Sequence, residues 1–264
     1  MSRSILAAAM LSASLLPAFG QWLHYPTAGI PRTADGKPNL SAPAPKAPDG
    51  KPDLSGLWMP TRPAGRIPAD QGSYAGLQFF MTPGTSIPPM LPEADALYRK
   101  RLENFGAGRP SEHCMPHGIP DAMIVPGPVK FVQNPGVTYL LYEEFNHFRQ
   151  IFTDGREFPR DLTPAWFGYS IGKWDGDVFV VDTAGFNDQT WLDDAGHPHT
   201  DQLRTIERFR RRDFGHMELQ VTIDDPKAYT KPWTANIQLT FMPDTEMIED
   251  MCDNEKDARH AVGK

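Results

Sequence analysis

Between Phe167 and Phe241 apolar and polar residues alternate in successive short runs, and few folds accept such a pattern. Met217, Leu219, Val221 and Ile223 interleave with Glu218, Gln220 and Thr222; Ala235, Ile237, Leu239 and Phe241 interleave with Asn236, Gln238 and Thr240. A period of two puts each apolar set on one face of a half-buried strand. Phe167–Trp174 and Val178–Thr183 flank Asp175-Gly176, a two-residue turn of the kind that takes positive φ. Leu203–Arg212 supplies another strand, and further ones are predicted at 53–58, 130–133, 137–145 and 148–153. The total is about nine or ten strands, nearly all antiparallel by the shortness of their connections. A sheet that long and twisted closes on itself and so removes its edges. The expected fold class is therefore mainly β, an antiparallel meander closing into a β-barrel. A two-sheet sandwich satisfies the same alternation, because alternation does not report closure.

The remaining segments are predicted to be ornaments on that single domain, which runs over 54–264. Residues 1–20 read as a signal peptide: Arg3, the apolar run Ile5–Leu16, then the small-x-small site Ala18-Phe19-Gly20. No later stretch is long and apolar enough to span a bilayer as a helix. Export, to a periplasm or out of the cell, is the expected localisation. Residues 21–53 form a proline- and glycine-rich extended arm in which Arg32-Thr-Ala-Asp-Gly-Lys-Pro-Asn-Leu-Ser41 is echoed by Lys46-Ala-Pro-Asp-Gly-Lys-Pro-Asp-Leu-Ser55. Such segments bury too little apolar surface to fold alone, so the arm drapes over the barrel or tethers it. A helical insertion is predicted near 92–105. Pro92 suits its first position and Glu93 and Asp95 its N-terminal end, with Leu97, Tyr98, Arg101, Leu102 and Phe105 on one stripe. The formal charge of −7 gives no bulk attraction for nucleic acid or an anionic membrane surface.

Cys114 and Cys252 are the two cysteines. In an oxidising compartment they are expected to form a disulfide, worth about 4–5 kcal/mol for so long a loop. That pairing also ranks above a metal-ligand reading of His113-Cys114-x-x-His117, which needs a reduced thiolate.

The loop 186–201 carries the densest polar chemistry. Its candidates are Asn187, Asp188, Trp191, Asp193, Asp194, His197, His199 and Asp201, on a rim over the barrel mouth. His197 and His199 with Asp188 or Asp193 would make a general acid–base pair. His197 and His199 with Asp193, or with Asp201, could alternatively hold a divalent metal, the one candidate cofactor. Tyr169, Trp174, Tyr229 and Trp233 join Asn187, Trp191 and Glu207 as candidate ligand contacts. Glu207 shares a face with Leu203 and Phe209, so its carboxylate is expected to point inward and to need a partner from another strand. Glu143, Glu144, Asn146, His147 and Arg149 form a second polar cluster, and Arg149, which precedes the Asp154-Gly155-Arg156 turn, is expected to make a structural ion pair. No Gly-x-Ser-x-Gly elbow and no glycine-rich phosphate cradle occurs, which argues against acyl transfer and nucleotide binding.

Leu54-Ser-Gly-Leu-Trp58 resembles the Gly-x-Trp opening of calycin (lipocalin-like) barrels, and that resemblance implies a tryptophan plugging one end. Asp49–Trp58, Gly168–Asp177, Gly185–Asp193, Gly196-His-Pro-His199 and Asp225–Trp233 are together similar to a family of exported bacterial proteins of unknown function. This second resemblance implies export and a shared fold, and transfers no mechanism. The function expected first is binding of a small, partly apolar molecule by an exported barrel. A hydrolase, lyase or isomerase on the same scaffold is the alternative, followed by an envelope interaction protein using the arm.

Overall fold

Nine strands among the described residues follow one another around a closed barrel in chain order: β1 (Gly56–Thr61), β2 (Val129–Asn134), β3 (Val137–Tyr142), β4 (Phe148–Phe152), β5 (Tyr169–Asp175), β6 (Val178–Ala184), β7 (Arg204–Arg211), β8 (His216–Asp224) and β9 (Trp233–Phe241). The structure, a computed structural model, describes residues 26–61, 76–81, 88–104, 106–125 and 127–252. The expected leader, the first residues of the arm and Phe105 lie outside them. Closure is made by β1 against β9, with Trp58 opposite Phe241 and Thr61 opposite Gln238. That pairing decides for the barrel over the sandwich.

One neighbour pair departs from the antiparallel expectation. β4 and β5 run parallel and pair over two positions only, Ile151 with Ser170 and Phe152 with Ile171. Segment 153–168 carries the chain back to the starting end of the barrel, as a parallel pair requires. Around Phe148 and Tyr169 the two strands are therefore splayed.

Inward side chains fill the bore. Phe131 and Phe209 meet edge to face at 5.4 Å, and Phe179 lies 6.4 Å from Phe209. Gly172 makes room for them: a Cβ there would come within 2.6 Å of the Phe179 ring. The buried polar centre of the wall is Arg149, whose guanidinium donates to Ser170 (3.0 Å), Thr183 (2.7 Å) and both oxygens of Glu207. Glu207 is thus inward, and its partner is Arg149. Arg149 makes the structural ion pair expected of it, and Arg156 pairs separately with Asp154 across the turn.

At one end Trp58 is fully buried, donates to the Leu54 carbonyl (2.9 Å) and lies under Arg211, 4.8 Å from its ring centre. The arm docks at this end, with Phe214 and Gly215 amides donating to the Ala42 and Leu40 carbonyls. Its two repeats fold alike. Gly36 and Gly50 take positive φ in matching turns, closed by bridges Arg32–Pro38 and Lys46–Pro52.

The opposite end is covered by loop 186–201, segment 116–125 and helix α1 (Pro92–Glu103). The stripe expected on α1 packs only in part, through Tyr98 and Arg101. Leu97 and Leu102 are exposed, whereas Ala94 is buried, Tyr98 stacks on His197 and Arg101 covers Trp191. Positions 94, 98 and 101 also share one side of a helix, and there the small Ala94 permits close approach. Among the described residues no helix is long and apolar enough to cross a membrane.

Candidate functional site

Loop 186–201 is not an open rim. Thr190 through Asp193 and Ala195 through His199 are buried, while Asp188 is exposed and Asn187 is half-buried. The histidines and Asp193 are taken up by hydrogen bonds within the loop and to Leu77. Asp193, fully buried, accepts from the amides of Leu77 (2.6 Å), Gly196 (3.0 Å) and His197 (3.0 Å) and from His197 Nδ1 (2.6 Å). Burial alone would raise the Asp193 pKa, but His197 and these amides outweigh it and hold the carboxyl below its usual range. The His197 ring, 1 % exposed, stacks on Tyr98 at 4.1 Å.

His199 donates from Nδ1 to the Thr200 carbonyl (3.0 Å), so Nε2 accepts from the Thr190 hydroxyl (2.6 Å). Burial lowers its pKa, consistent with that neutral tautomer. The expected pair of His197 with Asp193 thus exists, but sealed. The expected metal trio of His197, His199 and Asp193 does not converge, because the His199 ring is committed to Thr190 and Thr200. Trp191, Tyr229, Trp233 and Glu207 are buried in packing or hydrogen bonds; the Tyr229 hydroxyl, for instance, donates to the Pro198 carbonyl (2.8 Å). Trp174 lines a separate outer cleft with Asp175, Asp182 and Arg208.

Of the candidate contacts, Tyr169 alone lines the groove that the splayed β4–β5 seam opens. This groove holds about 560 Å³ and is walled by Phe148, Phe152, Trp166, Phe167 and Tyr169, with Asn146, His147 and Gln150 as polar wall groups. Its floor includes Arg149 and Ser170, the outermost members of the buried polar centre. Phe148 is 58 % exposed, an unusual position for a large apolar side chain at a strand start. His147 Nε2 has no hydrogen-bond partner among the described residues, and burial lowers the His147 pKa. The turn that delivers His147 is strained: Phe145 and Asn146 both take left-handed φ, at 57° and 53°.

Behind this turn lies a second cluster. His117 Nδ1 is 2.6 Å from Asp121 Oδ2 and 3.7 Å from Asp194 Oδ1, and Nε2 is 3.1 Å from Glu144 Oε1. Burial disfavours the imidazolium, but Asp121 and Glu144 outweigh it and raise the His117 pKa to about 11. Burial also pushes Asp121 well above the usual carboxylate range. Both directions describe one tightly held proton between the pair. Asp194 is pushed up as well, chiefly by burial.

The sequence reading missed His117, Asp121 and Asp194 as a group. The only local signal is His117 four residues before Asp121, in a segment already assigned to the disulfide. Glu144, Asn146 and His147 stood out as polar, but their groove is made by a strand pairing that alternation does not encode. No protein-family model matches the chain, and no curated protein matches it either.

Proposed function

We propose that this is an exported, calycin-like barrel that binds a small, partly apolar molecule in the groove between β4 and β5. The observation that carries the reading is the groove: about 560 Å³, aromatic walls and a few polar groups at one side. That size and composition are usual for small-molecule sites. Binding in the bore is not the proposal, because the bore is filled by its own side chains. Export is supported by the leader-like first twenty residues and by the Cys114–Cys252 disulfide. The calycin likeness is supported by Trp58 buried beneath Arg211 at one end.

The test is a titration with the fluorescent probe 1-anilinonaphthalene-8-sulfonate, followed by displacement with small apolar acids, alcohols and amines. One saturable site is expected. Phe148→Asp, which puts a charge on an exposed groove wall, should weaken it at least tenfold, about 1.4 kcal/mol. Trp174→Ala in the other cleft should leave it unchanged. Equal affinity for wild type and Phe148→Asp would refute the groove as the site.

A second reading, a hydrolase, lyase or isomerase in the same groove, is favoured by His147. A neutral imidazole beside the groove, its Nε2 buried without a hydrogen-bond partner among the described residues, can take a proton from a bound substrate once the side chain turns that nitrogen toward the groove. His147, rather than His197 or His199, would then be the base. Turnover of any ester, lactone or enolisable ketone that survives His147→Gln unchanged would exclude it.

A further inference from the structure

We propose that His117, Asp121 and Asp194 bind a divalent transition-metal cation, with Glu144 orienting the histidine. One ligand atom from each of the three residues lies within 4.8 Å of the others. The two measured gaps from His117 Nδ1, 2.6 and 3.7 Å, bracket the spacing of about 3.4 Å that a tetrahedral ion at about 2.1 Å from each donor requires. Small side-chain rotations suffice to bring the three onto one centre.

A separate observation points to a ligand. Asp121 is 2 % exposed, and its Oδ1 has no hydrogen-bond partner among the described residues. A buried carboxylate oxygen left without a donor is costly, and a cation held by both oxygens of Asp121 would satisfy it. The ring of His117 is already oriented for coordination through Nδ1. Nε2 can donate its proton to Glu144 Oε1 at 3.1 Å, which leaves the Nδ1 lone pair for the ion. On binding, the proton now between Nδ1 and Asp121 passes to solvent, and the ion takes its place.

The charge count agrees. Asp121, Asp194 and Glu144 surround one imidazole, and Arg109, 3.6 Å from Asp194, is also shared with Glu112. A dication balances what one arginine does not. The supports are rigid. Gly118, at positive φ, packs so closely on Thr190 that a Cβ would meet it at 2.7 Å, which holds segment 117–121 against the loop carrying Asp194. One nitrogen and several oxygens suit zinc, manganese or ferrous iron better than soft monovalent copper. The partial exposure of Asp194 and Glu144 gives the ion an entry side and room for water ligands.

The experiment uses the whole processed chain with its disulfide intact, stripped with a chelator and titrated with Zn²⁺ alone and with Co²⁺ alone. Calorimetry should give one equivalent of either, and Co²⁺ should develop visible d–d bands. Glu144→Gln should weaken binding about 10- to 100-fold, as loss of a histidine-orienting carboxylate does elsewhere. Asp121→Asn should abolish the bands, while His216→Gln, at a surface histidine, should not. No stoichiometric uptake by wild type overturns the proposal, as does unchanged binding by a natively folded Asp121→Asn chain. Should that variant not fold, anomalous diffraction from zinc-loaded wild-type crystals decides. A peak bounded by His117, Asp121 and Asp194 is expected, and its absence there overturns the assignment.

Discussion

Glu207 is fully buried, and Arg149 answers it across the bore from a strand that is not its neighbour. Both terminal guanidinium nitrogens donate to the carboxylate, and Nε and Nη2 also satisfy Ser170 and Thr183. Removing one partner strands the other charge, so Arg149→Met should cost about 3–5 kcal/mol in urea unfolding. Arg149→Met with Glu207→Leu should recover most of that loss. A double variant no more stable than the single one would show that the pair is not the unit. The inward parity of Glu207 was legible from Leu203 and Phe209; its partner was not, because parity does not tell which strand faces which across a barrel. His199 carries a second residue-scale consequence. Its folded pKa is lowered by burial, so the unfolded chain binds its proton first. Its contribution is therefore complete above the unfolded value of about 6.5 and is lost as pH falls from there toward the lower folded value. Urea midpoints of wild type and His199→Gln should converge as the medium is acidified from about pH 8 to about pH 5. A constant gap would mean that His199 does not titrate differently in the two states.

At the scale of elements, β5 sets both the packing of the bore and the position of the groove. Its inner face carries Ser170 and Gly172, small residues that allow close approach. What approaches is the protein itself: the Phe179 ring and the Arg149 guanidinium. Gly172→Ala would place a methyl 2.6 Å from Phe179 and 2.8 Å from Ile151 Cγ2. The expected cost is about 1–3 kcal/mol of overpacking, read as a lowered melting temperature, and a neutral result would mean that the ring can withdraw. The strands themselves were readable because a half-buried strand must alternate. The parallel β4–β5 join was not, since segment 153–168 has no period of its own, and with it the groove went unseen. Loop 186–201 misled for a related reason. Length and polarity mark a functional loop or a loop that must satisfy its own buried backbone, and Asp193 with its four donors belongs to the second kind.

For the whole molecule the decisive tie is the segment that leaves β9 and crosses the outside of the barrel. Asp244 pairs with Arg32 of the arm, Glu246 with Lys130 of β2, the Ile248 amide donates to Glu143, and Asn146 donates to the Asp250 carbonyl. Cys252 then closes on Cys114. The pairing was legible because only two cysteines exist; the course of the strap was not, since residues 242–252 carry no periodic pattern. The bond spans 138 positions, so its chain-entropy contribution is about 5 kcal/mol. Its second effect is local, because the strap clamps the strained turn 143–147 between the groove and the His117 cluster. Cys114→Ser with Cys252→Ser should accordingly lower the unfolding free energy by about 2–5 kcal/mol. The same variant should speed hydrogen exchange at the Asn146 amide while β7, β8 and β9, with ladders of their own, stay protected. Uniform loss of protection across the barrel would assign the bond a purely global role. Unchanged exchange at the turn would mean that its left-handed conformation is held by Glu143, Asn146 and their neighbours without the covalent clasp.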